Sequence, residues 1–200
     1  MVHYTDPDTP QDITLKNISK SFVHTNIFHN LNQTFITGQT YCIMAPSGAG
    51  KTTLFRMICG LEKPDSGQIT GHEKQRISAV FQEDRLLEGC SALENIRFVC
   101  KKSVSVKEIK SLLSEFVDEK NFSKSVSEYS GGMRRKVCLL RALLSDSEIL
   151  ILDEPFSGLD HESRLAAIRL IQKYQNGRTL LLSSHDIQDA MLLNAQIISL

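Results

Sequence analysis

The stretch Ala45-Pro46-Ser47-Gly48-Ala49-Gly50-Lys51-Thr52-Thr53 is the part of the sequence that most restricts the fold. An apolar run at 41–44 precedes it, and a helix-type pattern that ends near Gly60 follows it. The stretch matches Gly-x-x-x-x-Gly-Lys-[Ser/Thr] except for its first position. A glycine-rich turn between a strand and a helix presents backbone N–H groups to anions. The sequence therefore predicts a phosphate-binding loop, with nucleotide contacts from Ala45, Pro46, Ser47, Gly48, Ala49, Gly50, Lys51, Thr52 and Thr53.

Alanine at position 45 departs from the loop pattern, which has glycine there. Where a turn requires a positive φ angle, a side chain costs on the order of 1 kcal/mol. If the loop has such an angle at Ala45, we expect nucleotide binding to be weakened but not abolished. The alternative to a binding loop is a glycine-rich turn that binds nothing.

A second strand end supplies the acids that such a loop needs. The apolar run at 149–152 is followed directly by Asp153 and Glu154, and ligands of open α/β sheets bind at the carboxyl ends of the strands. We expect the Thr52 hydroxyl and Asp153 to hold magnesium, Asp153 directly or through water. Glu154 is then free to orient or deprotonate an attacking water. Lys51 is expected to reach the terminal phosphates. The alternative for the two acids is a solvated acidic turn.

Four further segments occur in a characteristic order: Val80-Phe81-Gln82-Glu83, Tyr129-Ser130-Gly131-Gly132-Met133, Ser157-Gly158-Leu159-Asp160 and Ser184-His185-Asp186. With the phosphate loop and the acids, they resemble the Q-loop, signature, D-loop and switch histidine of the nucleotide-binding subunits of ABC transporters. The resemblance covers about residues 12 to 200. It implies an ATPase that uses ATP and magnesium.

The signature carries an implication for assembly. Ser130, Gly131 and Gly132 open a helix and so form a second anion-binding helix end. One domain does not need two such ends for one γ-phosphate. The resemblance implies a head-to-tail pair of cassettes, in which each copy presents these residues to the ATP of the other. The partner is a second copy or a relative. Taken alone, the three residues are more typical of a plain helix N-cap than of a ligand site.

Other residues acquire roles only from the resemblance. An aromatic at the position of Phe22 stacks on adenine in this family. Gln82 and His185 are implied to sense the γ-phosphate and to take part in hydrolysis, with Gln82 also at the magnesium ion. Asp160 is implied to connect the two nucleotide sites. Without the resemblance, Phe22 would be assigned to the core and His185 to the core or the surface.

The alternation of strands and helices predicts an α/β fold with a mostly parallel sheet. In full, we expect a P-loop NTPase with an antiparallel β subdomain and an inserted helical subdomain. The domain spans 12–200, with a catalytic core of 12–83 and 146–200. The helical signature subdomain occupies about 84–145, and 1–11 form a loose terminus.

The periodicity also predicts particular elements. Apolar residues at helical spacing predict an amphipathic helix over 104–118, and helix signals continue from 134 to 144. A third helix is expected at about 162 to 174. Strands are predicted at 149–152 and 179–183.

Composition excludes several classes of protein. Twenty-three basic residues balance 23 acidic ones, so no basic excess points to nucleic acid. No apolar run approaches the length of a membrane-spanning helix, and the polar segment 6–10 stands where a secretory signal core would begin. Five cysteines without a Cys-x-x-Cys pair argue against a disulfide framework or a zinc site and favour a reducing cytosol.

The resemblance to ABC transporter subunits implies an ATP-hydrolysing subunit, peripheral on the cytoplasmic face of the membrane, that drives solute uptake through separate transmembrane permease subunits. An extracytoplasmic solute-binding protein would be an indirect partner. A helix of the permease is expected to dock beside Gln82 and residues 84–99. The segments 81–87 and 93–96, with Ser-Gly-Gly-Met, are most similar to the nitrate, sulfonate and taurine importers. Tyr129, Arg135 and Lys136 depart from the family pattern, which has leucine and Gln-Arg there.

Two alternatives remain. A soluble, non-transport ABC ATPase acting on ribosomes, DNA or cell-division proteins would usually carry two cassettes, coiled-coil insertions or basic patches. A small P-loop kinase would need a phosphoacceptor pocket, and it would not account for the signature and D-loop segments.

Overall fold

The structure is a computed structural model that describes residues 10–23 and 25–200. Of the predicted loose terminus, residues 1–9 lie outside the described residues. The elements are β1 (Ile13–Phe22), β2 (Thr25–Phe35), β3 (Thr40–Met44), α1 (Lys51–Ile58), β4 (Ser66–Thr70), β5 (Ile77–Val80), α2 (Ala92–Arg97), α3 (Val106–Ser114), α4 (Gly131–Leu143), β6 (Ile149–Leu152), α5 (His161–Gln175), β7 (Thr179–Ser183), α6 (Ile187–Leu192) and β8 (Gln196–Ser199).

A five-stranded sheet forms the centre, in the order β5-β6-β7-β3-β8, and all its pairs are parallel. Because successive side chains of a strand point to opposite faces, the apolar run of β6 fills two separate cores. Leu150 and Leu152 join the core on the helical side, whereas Ile149 and Ile151 join the other. Burial on both faces explains why these strands are continuous apolar runs rather than alternating ones.

A second, antiparallel sheet of three strands, in the order β2-β1-β4, covers one side of the molecule. Its inward residues share a core with α1, where Phe35 and Phe55 are among the fully buried side chains. Phe35 also contacts Tyr41 of β3 in an edge-to-face pair at 5.1 Å between ring centroids. This core joins the antiparallel sheet to the helix that follows the phosphate loop.

The α/β fold with two sheets and added helices confirms the expected fold class. Between α1 and β6, α2–α4 pack on one another and on the central sheet. In the described part of the chain, no helix is both long and apolar enough to cross a bilayer.

Two helix boundaries differ from the predicted ones. The predicted helix 104–118 is observed only over Val106–Ser114. Its start is determined by Ser105, whose side chain accepts a hydrogen bond from the Glu108 N–H at 3.1 Å. Phe116 and Val117 are buried after the helix has ended, so apolar spacing alone overestimated its length. The helix predicted from Arg134 begins three residues earlier, at Gly131.

The strand order brings the predicted phosphate loop, the two predicted acids and His185 to one edge of the parallel sheet. β7 lies between β6 and β3, so the segments that follow these three strands leave the sheet side by side. The phosphate loop follows β3, Asp153 and Glu154 follow β6, and His185 follows β7.

Arg178 lies at the edge of the parallel sheet opposite to the phosphate loop and contacts the ends of two helices. Its guanidinium donates to the carbonyls of Ala142 (3.4 Å) and Leu143 (2.9 Å) at the end of α4. It also donates to Tyr174 (2.6 Å) and Gln175 (3.1 Å) at the end of α5. The last carbonyls of a helix have no partner within the helix, and burial lowers the pKa of Arg178 because the charged form is desolvated. One buried side chain therefore caps both helices.

We expect Arg178→Ala to lower the free energy of unfolding by about 3 kcal/mol, because it removes the guanidinium donor from the carbonyls of Leu143 in α4 and Tyr174 in α5. Urea unfolding followed by circular dichroism measures this. Arg169, exposed on α5, is the matched control, and its replacement by Ala should change stability by less than about 0.5 kcal/mol. Equal effects of the two substitutions would contradict the capping role.

Candidate nucleotide-binding and hydrolytic site

The phosphate loop has left-handed backbone conformations at Gly48 (φ 82°) and Gly50 (φ 97°) and not at Ala45. The expected strain at position 45 is therefore absent, and that interpretation of the alanine is corrected. Gly50 is required for a second reason. A Cβ atom there would lie 2.3 Å from Cγ2 of Ile27 and 2.8 Å from Cζ of Phe28, both on β2. The antiparallel sheet thus packs directly against the loop.

Lys51 is the first residue of α1, and its side chain turns back over the loop. Its ammonium group donates to the carbonyl oxygens of Ala45 (2.8 Å) and Pro46 (3.4 Å). The same nitrogen lies 3.8 Å from Oε1 of Glu154 and 3.5 Å from Nε2 of His185. The structure therefore brings the loop lysine, the second acid and the switch histidine together.

Asp153 is fully buried (0% exposed) at the end of β6. Its Oδ2 accepts a hydrogen bond from the Thr52 hydroxyl at 2.6 Å, and its Oδ1 accepts one from the Ser183 hydroxyl at 2.7 Å. Among the described residues, no basic side chain lies within 4 Å of its carboxylate. A buried carboxylate beside hydroxyls and without a cationic partner is a hard-oxygen donor set, which suits magnesium. Thr52 and Asp153 thus fit the predicted metal.

Glu154 has a positive φ of 48° although it is not glycine. Its backbone N–H donates to the Ser183 hydroxyl at 2.8 Å. Its carboxylate oxygen Oε1 forms a hydrogen bond with Nε2 of His185 at 2.8 Å. Non-glycine residues held in this region cluster at functional sites. The conformation directs the Glu154 side chain towards Lys51 and His185 instead of continuing the strand.

Ion pairs and a hydrogen bond hold the segment that follows β7 in place. Arg164 of α5 pairs with Asp186 and, at 2.7 Å, with the buried Asp189. The Ser184 hydroxyl also donates to Asp189, at 2.6 Å. The Arg164 guanidinium holds the pKa of Asp186 below its usual range. His185 therefore stands on an anchored turn while its own side chain is half exposed.

Gln82, Gly131 and Gly132 line one cavity of about 430 Å³ together with Glu154 and Gly158. The cavity lies between the segment after β5, the start of α4 and the end of β6. Gln82 itself is exposed. The structure thus places the predicted Q-loop residue beside Glu154 in the same subunit.

The signature segment begins α4 as expected. Ser130 is exposed, and its hydroxyl caps the helix by accepting from the Met133 N–H at 3.3 Å. Tyr129, which replaces the usual leucine, is buried, and its hydroxyl donates to the Asn121 carbonyl at 2.8 Å. The departure is therefore accommodated by a hydrogen bond, and the N-terminus of α4 stays accessible.

Phe22 and Asp160 stand apart from the cluster around Lys51. Phe22 ends β1 in the antiparallel sheet and is 43% exposed, with the Lys20 ammonium 4.9 Å from its ring centroid. Asp160 caps α5 by accepting from the Ser163 hydroxyl at 2.7 Å and the Ser163 N–H at 2.9 Å, and these hydrogen bonds keep the pKa of Asp160 below its usual range. The roles expected for these two residues stay predictions.

Three residues near the cluster were not identified as site residues from the sequence. Ser183 is the last residue of β7 and contacts both acids. Arg164 anchors the turn that carries His185. Arg135 donates to the carbonyls of Asp153 and Glu154. One sequence signal was available for Arg135. It has the same helical spacing as the apolar residues of α4, and this spacing places a charged residue on the buried face.

A comparison with protein families identifies the chain. The model of the family described as "ABC transporter" matches residues 28–157. The chain belongs to the ABC transporter ATP-binding family. The resemblance read from the sequence motifs is thereby confirmed.

Relatives of this ABC cassette transport different solutes according to their names. The chain is 33% identical to a spermidine/putrescine import ATP-binding protein of Fusobacterium nucleatum, over 94% of this chain and 54% of that protein. It is 34% identical to an aliphatic sulfonates import ATP-binding protein of Rhodococcus jostii, over 94% and 78%. It is also 34% identical to a Nod factor export ATP-binding protein of Burkholderia lata, over 89% and 64%. The chain thus spans about half to three quarters of these relatives.

A solved structure extends the similarity to three dimensions. The dimeric, post-hydrolysis structure of an ATP-binding cassette with ADP and phosphate superposes with a TM-score of 0.80. The identity is 26%, and the alignment covers 94% of both chains. The expected ABC ATPase fold is confirmed.

We expect Gly50→Ala to destabilise the nucleotide-free protein by about 3 kcal/mol, because backbone strain adds to the clash with β2. Gly48→Ala is the matched control, since its φ is also positive but its added Cβ meets no heavy atom within 4 Å. Strain alone should cost about 1 kcal/mol there. Urea unfolding without nucleotide compares the two, and equal losses would show that the contact with Ile27 is unimportant.

Proposed function

We propose that this chain is the ATP-hydrolysing subunit of an ABC importer and that it acts in a head-to-tail pair. The observation that carries the proposal is the convergence of Lys51, Asp153, Glu154 and His185 at one sheet edge. A hydrolase needs a phosphate cradle, a metal-binding acid and a base in that arrangement. The dimeric relative with ADP and phosphate supports the same chemistry.

The loop residues 45–53 would bind the phosphates of ATP through backbone N–H groups at the start of α1. Thr52 and Asp153 would hold magnesium, with Gln82 approaching from the cavity beside Glu154. When bound, magnesium neutralises charge on the phosphates. Lys51 would exchange the loop carbonyls for phosphate oxygens, which are stronger acceptors.

Glu154 would orient the attacking water and accept its proton as the oxygen attacks the γ-phosphorus and the bond to the bridging oxygen breaks. His185 is 2.8 Å from the Glu154 carboxylate, so it can hold that carboxylate in position and contact the γ-phosphate. The Asp153 carboxylate would stay fixed in place throughout, because its two oxygens accept hydrogen bonds from Thr52 and Ser183.

The pairing of two copies follows from the exposed start of α4. Ser130 is exposed and Gly131 adds no side chain, so the N–H groups there are available to a γ-phosphate on another copy. Two ATP molecules would then lie between the two cassettes, with Phe22 stacked on adenine and Asp160 near the contact between the sites. Binding of ATP favours this closed pair, and hydrolysis opens it.

A transmembrane partner is required for transport. The segment 84–99 presents the exposed apolar side chains Leu87, Phe98 and Val99, of which Phe98 is 69% exposed. A helix of a permease subunit would bury these side chains. The cassette would then be peripheral on the cytoplasmic face, and an extracytoplasmic solute-binding protein would act through the permease. Among solutes we favour the nitrate, sulfonate and taurine class, which the segments 81–87 and 93–96 and the sulfonate relative support.

We expect Glu154→Gln to bind ATP normally but to lower its turnover by roughly 100-fold or more, because the base is lost. Light scattering should show a mass that doubles only with magnesium and ATP. Glu115→Gln, an exposed glutamate at the end of α3, should leave turnover unchanged. Normal turnover by the Glu154 variant would remove Glu154 from its proposed role, and failure to bind ATP would remove the motor function.

We expect Ala45→Gly to leave the affinity for ATP within about twofold, because Ala45 has no positive φ to relieve. Isothermal titration with ATP measures this. Lys51→Ala should weaken binding by at least about tenfold, since it removes a charge-assisted contact to phosphate. Binding that becomes more than tenfold tighter with glycine would show that the alanine does strain the loop in the complex.

A further inference from the structure

Arg135 connects the helical part of the chain to the end of β6. It is buried (5% exposed) on α4, five residues after Ser130. One nitrogen of its guanidinium donates to the carbonyl of Phe81, and the other donates to the carbonyls of Asp153 (2.6 Å) and Glu154 (2.7 Å). A single side chain therefore holds the backbone at both sides of the cavity that contains Gln82.

This arrangement is costly for a helix that could be held by packing alone. The closest carboxylate oxygen, Oδ1 of Asp84, is 3.7 Å away and has no hydrogen-bond partner in the described part of the chain. The Arg135 Nε is likewise unpartnered there. A buried cation without a close ion pair is unfavourable unless hydrogen bonds compensate it. The three carbonyl contacts supply that compensation, and neighbouring buried positions of α4, such as Val137 and Leu139, are apolar.

The carbonyls that Arg135 binds belong to the strained turn at Glu154. The Glu154 N–H is held by Ser183 at 2.8 Å, whereas its carbonyl and that of Asp153 are held by Arg135. The φ of 48° at Glu154 is unfavourable for a residue with a side chain. The peptide groups on both sides of Glu154 are thus fixed from opposite directions, by β7 and by α4.

We infer that Arg135 is a positioning residue for Glu154: it ties the helix that begins with Ser130 to the backbone of the hydrolytic glutamate in the same subunit. The inference rests on the proposed ATPase function. When Ser130 and Gly131 contact the ATP of the other copy, any movement of α4 is passed through the Arg135 guanidinium to Glu154 and to Phe81, which precedes Gln82. Contact of α4 with the ATP at one nucleotide site thereby changes the position of Glu154 at the other nucleotide site.

The test compares Arg135→Gln and Arg135→Lys with Arg134→Gln in the full chain. Arg134 is the matched control, because the adjacent guanidinium pairs with Glu88 at 2.6 Å and donates to neither Asp153 nor Glu154. Both Arg135 variants should lower kcat by roughly 10- to 100-fold through misplacement of Glu154. The KM for ATP should stay within about threefold, since the phosphate loop is untouched. Lysine keeps the charge but lacks the planar fork that reaches several carbonyls.

A second readout needs neither nucleotide nor turnover. Amide hydrogen exchange over 153–158 in the nucleotide-free protein should accelerate by roughly tenfold or more in the Arg135 variants, because charge-assisted hydrogen bonds to this turn are lost. Arg134→Gln should leave this segment unchanged. If Arg135→Gln does not fold, Arg135→Lys, which retains the buried cation, carries the comparison.

A double substitution separates positioning from an independent effect. In the Glu154→Gln background, Arg135→Lys should lower turnover no further, since both changes act through the same carboxylate. Additive losses would overturn the inference, as would wild-type kcat in Arg135→Lys. If Glu154→Gln abolishes turnover while both Arg135 variants retain it, the ATPase function stands and the inference is wrong. If the wild-type protein hydrolyses no ATP, the proposed function fails and the inference falls with it.

Discussion

The arrangement of the site depends on burial of the Asp153 carboxylate. A buried carboxylate is unfavourable by several kcal/mol unless it is hydrogen-bonded, and here the two donors are hydroxyls from different elements, Thr52 of α1 and Ser183 of β7. The acid can therefore be accommodated only where α1, β6 and β7 meet. That requirement fixes the phosphate loop relative to the two acids, and it places His185 two residues beyond one of the donors.

Backbone conformation carries the second constraint. Gly48 and Gly50 adopt positive φ angles at little cost, but Glu154 adopts one with the side chain to which we assign the hydrolytic role. The sequence cannot use glycine there without removing the carboxylate. A hydrogen bond from the Glu154 N–H to Ser183 and hydrogen bonds from Arg135 to the two carbonyls instead stabilise the turn from its two sides. Strain at this position thus accompanies an acidic side chain placed directly after the end of a buried strand.

Sequence patterns predicted the parts of the molecule that follow from local rules. The strands 149–152 and 179–183 were located correctly, because a doubly buried parallel strand is a short apolar run with clear ends. The helix boundaries at 104–118 were wrong because Phe116 and Val117 are buried in a turn rather than a helix. Periodicity also does not show which groups a charged residue on a buried face contacts. The contacts of Arg135 could therefore be found only from the structure, in which α4 lies against the end of β6.

The departures from the family pattern are concentrated around α4 and leave the phosphate loop unstrained. Ala45 has no positive φ to penalise it. Tyr129 satisfies its buried hydroxyl at the Asn121 carbonyl, within the helical part, and Arg135 reaches across to the end of β6. These substitutions change how α4 is held, whereas the groups that would contact ATP are retained. The inferred coupling therefore depends on the hydrogen bonds of Arg135, which join the helix that begins after the exposed Ser130 to the backbone of Glu154.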